Sequence, residues 1–152
     1  MPTTLSPVMR NISMSATSAM VARVAALRRE GRKIISLNVG EPDFPTPEHI
    51  KEAGIRAIEE DFTHYTTGMG IYELREAIAE KLKKDNHIEY TPEEVLVLVG
   101  AKQALYLSLM AVAAAGDEVI IPKPCYVSYP EIVRLTGAEP VFCDLQRDTY
   151  EL

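Results

Sequence analysis

Val95-Leu96-Val97-Leu98-Val99-Gly100-Ala101-Lys102 is the stretch that decides the fold class. Five consecutive apolar residues, three of them valine, read as a strand buried on both faces. Gly100 turns that strand into an almost wholly apolar helix, predicted over Lys102–Ala115 and ended by Gly116. Val119-Ile120-Ile121 repeats the strand signature. A shorter helix is predicted over Tyr129–Thr136, ended by Gly137, and Pro140–Cys143 opens a third strand. The alternation β-α-β-α-β predicts an α/β fold built on an open parallel sheet.

Toward the N-terminus the pattern becomes more helical. Residues 1–14 read as an arm. Ala16–Arg29 reads as a helix, with Met20, Val24 and Leu27 at helical spacing and Gly31 where helices end. Ile34–Val39 reads as a short strand. Gly40-Glu41-Pro42-Asp43-Phe44-Pro45 is too rich in proline for a regular element. Thr46 suits a helix N-cap and Pro47 the first helical position, with the helix running to about Glu60. Beyond a loop holding Gly68 and Gly70, Ile71, Leu74, Ile78 and Leu82 form one apolar stripe, with Glu80 and Lys84 paired on the solvent side.

Composition narrows the function classes. The 152 residues are 47% hydrophobic and 25% charged, the balance of a globular domain rather than a disordered chain. Sixteen basic against 22 acidic residues, a net charge of −6, give no basic face for nucleic acid and no polybasic membrane anchor. The longest apolar stretch, Ala104–Ala115, falls well short of the ~20 residues of a spanning helix. Cys125 and Cys143 make no disulfide framework or metal site, which points to a reducing compartment and a cytoplasmic protein. Arg10, Arg23, Arg28 and Arg29, with serines and no acid, give the first 29 residues some likeness to a transit peptide. An ordinary N-terminal helix is the preferred reading.

Most enzyme signatures are absent. Gly68-Met69-Gly70 is half of a dinucleotide fingerprint, but Glu73 stands where its third glycine belongs. His49, His64 and His87 lie on different elements without ligand spacing. The junction Gly100-Ala101-Lys102 carries more. Ligands of open parallel sheets bind beyond the carboxyl ends of strands, and a helix N-terminus there holds an anion through unpaired N–H groups. The second strand leads to the same rim through Pro122-Lys123-Pro124-Cys125-Tyr126, where Tyr126 offers a face to a flat ring. Each feature has a plainer alternative: a glycine at any β-α turn, a solvated lysine at a helix start, a tyrosine filling a gap.

In order along the chain, Ser15-Ala16-Thr17, Gly40-Glu41-Pro42-Asp43-Phe44, His64-Tyr65, Gly70 with Glu73-Leu74-Arg75, Gly100-Ala101-Lys102-Gln103-Ala104-Leu105 and Tyr126-Val127-Ser128-Tyr129-Pro130-Glu131 carry a joint resemblance. Together they resemble the fold-type I aminotransferases that use pyridoxal 5'-phosphate, specifically the aspartate aminotransferase branch of bacteria and archaea. The resemblance runs from about Ser13 to Val141. It implies the three-layer α/β/α large domain of these transferases, with residues 1–40 contributing arm, helix and first strand to a small domain. Residues 41–152 would then begin the large domain without completing it.

The resemblance also implies roles. Gly100, Ala101 and Lys102 line the cofactor phosphate, Tyr126 stacks on the pyridine ring, and Tyr65 reaches the phosphate of a neighbouring subunit's cofactor in a homodimer. Gly40 offers its N–H to the substrate α-carboxylate. Lys102, Ser15 and Thr17 face the distal carboxylate of aspartate or glutamate. Aspartate-type members often carry tryptophan where Tyr126 stands, which leaves a broader or aromatic substrate range open. The substrates implied are amino acids and 2-oxo acids.

The chemistry also requires a lysine that binds the cofactor as a Schiff base, a carboxylate at the pyridine nitrogen and an arginine for the α-carboxylate. In the family these lie downstream of Leu152. Lys102 is placed for the phosphate rather than the aldehyde, and Asp43, Asp117 and Asp144 lie in the wrong motifs. No catalytic residue is therefore expected within these residues, which read as the N-terminal part of a longer enzyme. Three other readings remain: a non-catalytic dimerisation or regulatory protein, a carbon–sulfur lyase on the same scaffold, and the aminotransferase-like half of a transcription regulator.

Overall fold

In the computed structural model, which describes residues 6–152, the chain divides into two units. One joins the described residues up to Gly40 with Gly100–Leu152, and the other is Glu41–Val99. The first five residues of the expected arm lie outside the described residues.

The first unit holds the sheet. Strands β1 (Glu118–Lys123) and β2 (Glu139–Asp144) pair in parallel, with Ile120 opposite Val141 and Lys123 opposite Asp144. The helix between them, α6 (Tyr129–Thr136), has the predicted bounds, and Gly137 follows it in a left-handed conformation. Its Ile132 and Val133 are buried, and Val133 packs with Ile121 of β1. Ile121, Val133 and Ala138 form the core, and Leu109, Ala113, Val119 and Cys125 pack around it. This β-α-β unit is the α/β architecture predicted.

Helix α5 runs over Gly100–Val112, not Lys102–Ala115. It stops earlier because the Asp117 carboxylate accepts the Ala114 N–H at 2.8 Å, drawing the chain into a turn. Leu105, Leu107, Met110 and Val112 are all exposed. At the front of the unit, a four-residue helix α1 (Pro7–Arg10) touches α6. Helix α2 (Ala16–Arg29) has the predicted bounds. Its C-terminus closes with Arg32 N–H on the Leu27 carbonyl and Gly31 N–H on the Arg28 carbonyl, the double bond of a Schellman end.

Two predicted strands are not strands. Ile34–Val39 joins no ladder. It follows α2 instead, where an Arg28 guanidinium nitrogen donates to the Ile34 carbonyl at 3.4 Å. Val95–Val99 also joins none. A β-branched run favours extended backbone, but a strand needs a neighbour for its N–H and C=O groups. Val95 is extended and buried, yet Val97 donates its N–H to the Met69 carbonyl at 3.0 Å, a loop partner.

That bond belongs to the second unit, built from α3 (Glu48–Glu59), α4 (Tyr72–Lys81), a π-helical turn (Leu82–Asn86) and a 3₁₀ turn (Pro92–Glu94). Pro47, rather than Thr46, occupies the N-cap of α3. The predicted stripe is half right: Ile71, Ile78 and Leu82 are half-buried, whereas Leu74 is exposed. The residues of α4 that are fully buried are Ala79 and, unexpectedly, Arg75. Glu80 and Lys84 do not pair; the ion pairs of this unit are Lys51–Glu48 and Lys83–Glu89. Gly70, at φ +98°, lies so close to Val97 that an added Cβ would meet its side chain at 2.9 Å.

Candidate active site

Parallel pairing brings the carboxyl ends of β1 and β2 to one edge, and the loop leaving β1 carries Tyr126. Helix α5 contributes its first turn. Gly100 holds φ +79°, a conformation costly for any residue with a Cβ, and nothing lies within 4 Å of where that Cβ would sit. The constraint is therefore on backbone shape and not on room for a side chain. The N–H groups of Gly100, Ala101 and Lys102 have no acceptor within their own helix.

Lys102 and Tyr126, predicted from separate motifs, meet here. The ammonium stands 5.4 Å from the Tyr126 ring centroid, a cation–π distance. Tyr129 meets the same ring edge-on, with centroids 5.7 Å apart and planes inclined at 68°. Tyr126 is held from one edge and still half exposed. The Tyr126 carbonyl also accepts the Tyr129 N–H at 3.0 Å, which fixes the turn into α6.

The substrate-side residues are placed less uniformly. Ser15 is the N-cap of α2, its Oγ accepting the Ser18 N–H at 3.4 Å. Ser15 also lines a cavity of about 250 Å³ together with Val127 and Ser128, the residues after Tyr126. Thr17 lies exposed in the first turn of α2. Gly40 lies in irregular, exposed chain with nothing within 4 Å of a notional Cβ. Neither is drawn into contact with Lys102 or Tyr126. Tyr65, in the other unit, is fully exposed.

Glu131 and Arg75, both within the motifs that carry the resemblance, each make a bond that local sequence does not reveal. Glu131 accepts from Arg134 Nη1 at 2.8 Å and from the Ser13 N–H at 2.9 Å. The first bond is legible as an i,i+3 pair of opposite charges. The second spans 118 residues and has no local signal. Among the described residues no helix is long and apolar enough to cross a membrane.

Comparison with known proteins identifies the family. Residues 32–152 match the family Aminotransferase class I and II. A probable aspartate/prephenate aminotransferase of Thermus aquaticus is 51% identical over 137 residues, covering 90% of this chain and 36% of the relative. The aspartate aminotransferase of Bacillus subtilis is 45% identical over 133 residues, covering 88% and 34%. Among solved structures, the Thermus thermophilus aspartate aminotransferase with maleate superposes with a TM-score of 0.90 at 46% identity, covering 95% of this chain and 38% of that one. The chain thus spans a little over a third of the length of these relatives. With this match across most of its length, the chain belongs to the class I and II aminotransferases, whose cofactor is pyridoxal 5'-phosphate.

Proposed function

We propose that the whole protein to which these residues belong is an aminotransferase that moves an amino group between an L-amino acid, aspartate or glutamate first, and a 2-oxo acid. The observation that carries this reading is the Lys102 ammonium beside the half-exposed Tyr126 ring, at the first turn of α5. A flat, phosphorylated, anionic cofactor asks for a helix N-terminus, an aromatic face and nearby positive charge, and these residues supply all three. The residues therefore fit pyridoxal 5'-phosphate. When bound, that group supplies the electron sink through which an amino group and a proton are exchanged.

The work of this chain is then binding and orientation. The N–H groups of Gly100, Ala101 and Lys102 hold the phosphate, and Gly100 keeps side chains out of its way. Tyr126 sets the ring plane and is itself steadied by Tyr129. The Lys102 ammonium, with the Ser15 and Thr17 hydroxyls, receives the distal carboxylate of the donor, and Gly40 N–H its α-carboxylate. A fixed ammonium opposite a carboxylate discriminates through a charge-assisted bond. Relatives named for aspartate and prephenate, and a neighbour solved with maleate, a dicarboxylate, support an acidic donor. In the same reading Tyr65 reaches a second subunit's phosphate, the protein is a cytoplasmic homodimer, and residues 1–40 and 41–152 belong to its small and large domains. The covalent lysine lies beyond Leu152.

The test is direct. Full-length protein, loaded with pyridoxal phosphate and given aspartate and 2-oxoglutarate, is expected to form glutamate and oxaloacetate. Release of pyruvate and a thiol from a sulfur-bearing amino acid, with no amino transfer to any 2-oxo acid, would replace this reading with carbon–sulfur lysis.

A further inference from the structure

Glu131 ties together two stretches that sequence keeps far apart. It stands in the first turn of α6 with its side chain only 22% exposed. Its Oε2 accepts the backbone N–H of Ser13 at 2.9 Å, and its Oε1 accepts from Arg134 Nη1 at 2.8 Å. Both carboxylate oxygens are therefore engaged, one by backbone and one by a cation that fixes the rotamer.

The two ends of this strut matter. Ser13 lies two residues before Ser15, the cap of α2, and four before Thr17. Glu131 lies five residues after Tyr126, beyond the turn that the Tyr126 carbonyl closes. Ser13, Ser15, Val127, Ser128 and Glu131 line the same cavity of about 250 Å³. The bond to Ser13 belongs to the backbone ladder of neither α2 nor α6. Its effect is on where the segment leading into α2 lies relative to α6.

From this we infer that Glu131 is a positioning residue for donor selection. By gripping Ser13 it sets Ser15 and Thr17 at a fixed distance from Tyr126, and so determines which donor side chain the pocket receives. Arg134 holds the carboxylate in place for that task. The inference rests on the reading of Ser15 and Thr17 as donor-facing residues.

The test uses Glu131→Ala and Glu131→Gln in the full-length protein loaded with pyridoxal phosphate. Glutamine keeps an oxygen that accepts the Ser13 N–H. Glu131→Ala is expected to raise KM for aspartate about tenfold, with kcat falling no more than about twofold and KM for alanine unchanged. Glu131→Gln is expected to restore most of the loss. Hydrogen exchange supplies a readout apart from turnover: amides of residues 12–18 exchange about tenfold faster in Glu131→Ala, while those of 132–138 keep their protection. Wild-type exchange over residues 12–18 in Glu131→Ala overturns the inference, as does loss of protection across α6 that glutamine does not rescue. A KM rise shared equally by aspartate and alanine also overturns it. If the unaltered protein transfers no amino group at all, the proposed function fails, and the exchange experiment still decides whether Glu131 holds Ser13.

Discussion

The Lys102 ammonium stands 5.4 Å from the centre of the Tyr126 ring, so the first turn of α5 and the loop leaving β1 meet through a cation and an aromatic face. The contact leaves the backbone N–H groups of that turn available while it places the charge. On the proposed function, Lys102 serves with two different parts: its backbone toward a phosphate, its side chain toward a carboxylate. Lys102→Met separates them. The variant is expected to keep its cofactor, because the N–H remains. It loses a charge-assisted contact of about 1.5–3 kcal/mol, a fall of roughly ten- to a hundredfold in kcat/KM for aspartate but not for alanine. Equal losses for both donors would remove Lys102 from donor recognition.

Gly100 makes a complementary case. Because nothing crowds it, Gly100→Ala tests backbone conformation alone. At φ +79° a Cβ costs about 1–2 kcal/mol, so the turn relaxes away from its present shape. Cofactor affinity, followed by absorbance titration of the full-length protein, is expected to drop about tenfold. Unchanged affinity would mean that the shape of this turn is not what holds the phosphate.

Arg75 is a buried cation without a carboxylate partner in its unit. It has one guanidinium nitrogen on the Pro92 carbonyl at 3.0 Å, the Tyr72 ring 5.5 Å away, and an Nε with no partner. Such a group is expensive to desolvate, so its contribution is packing as much as charge. Arg75→Ala is expected to destabilise by about 3 kcal/mol through the cavity it leaves, and Arg75→Met by less than half of that. Chemical denaturation distinguishes the two; equal losses would make the charge itself the stabilising element.

The Lys123–Asp144 pair, 3.0 Å apart across the strand ends, is mostly exposed, at 44% and 83% of the side chains. Exposed pairs contribute little once solvent and side-chain entropy are counted. Asp144→Asn is expected to change stability by no more than about 0.5 kcal/mol. A larger loss that high salt fails to diminish would show the pair to be shielded.

What could be read from sequence follows how local each signal is. Helix α2 was legible to the residue because Met20, Val24 and Leu27 keep helical spacing and Gly31 ends it. Helix α6 was legible for a similar reason, with Gly137 at its end. Val95–Val99 was misread because apolar composition reports a tendency to be buried, whereas a ladder depends on a neighbour that composition does not name. The loop carbonyl of Met69 took the Val97 N–H instead. The motif residues Lys102 and Tyr126 were each legible, but their 5.4 Å contact is a product of the β-α-β geometry. Arg75 was hidden because a charge on an amphipathic helix reads as solvent-facing, and Glu131 because half of its bonding lies 118 residues away.

That separation has a consequence for the order of events as the chain folds. Closing a contact between Ser13 and Glu131 fixes the ends of a very long loop, and the entropy lost is recovered only after α6 has a sheet to rest on. The β1-α6-β2 unit closes over a much shorter span, from Glu118 to Asp144. The link between Ser13 and Glu131 is thus set late, when a finished helix offers a carboxylate to a waiting backbone.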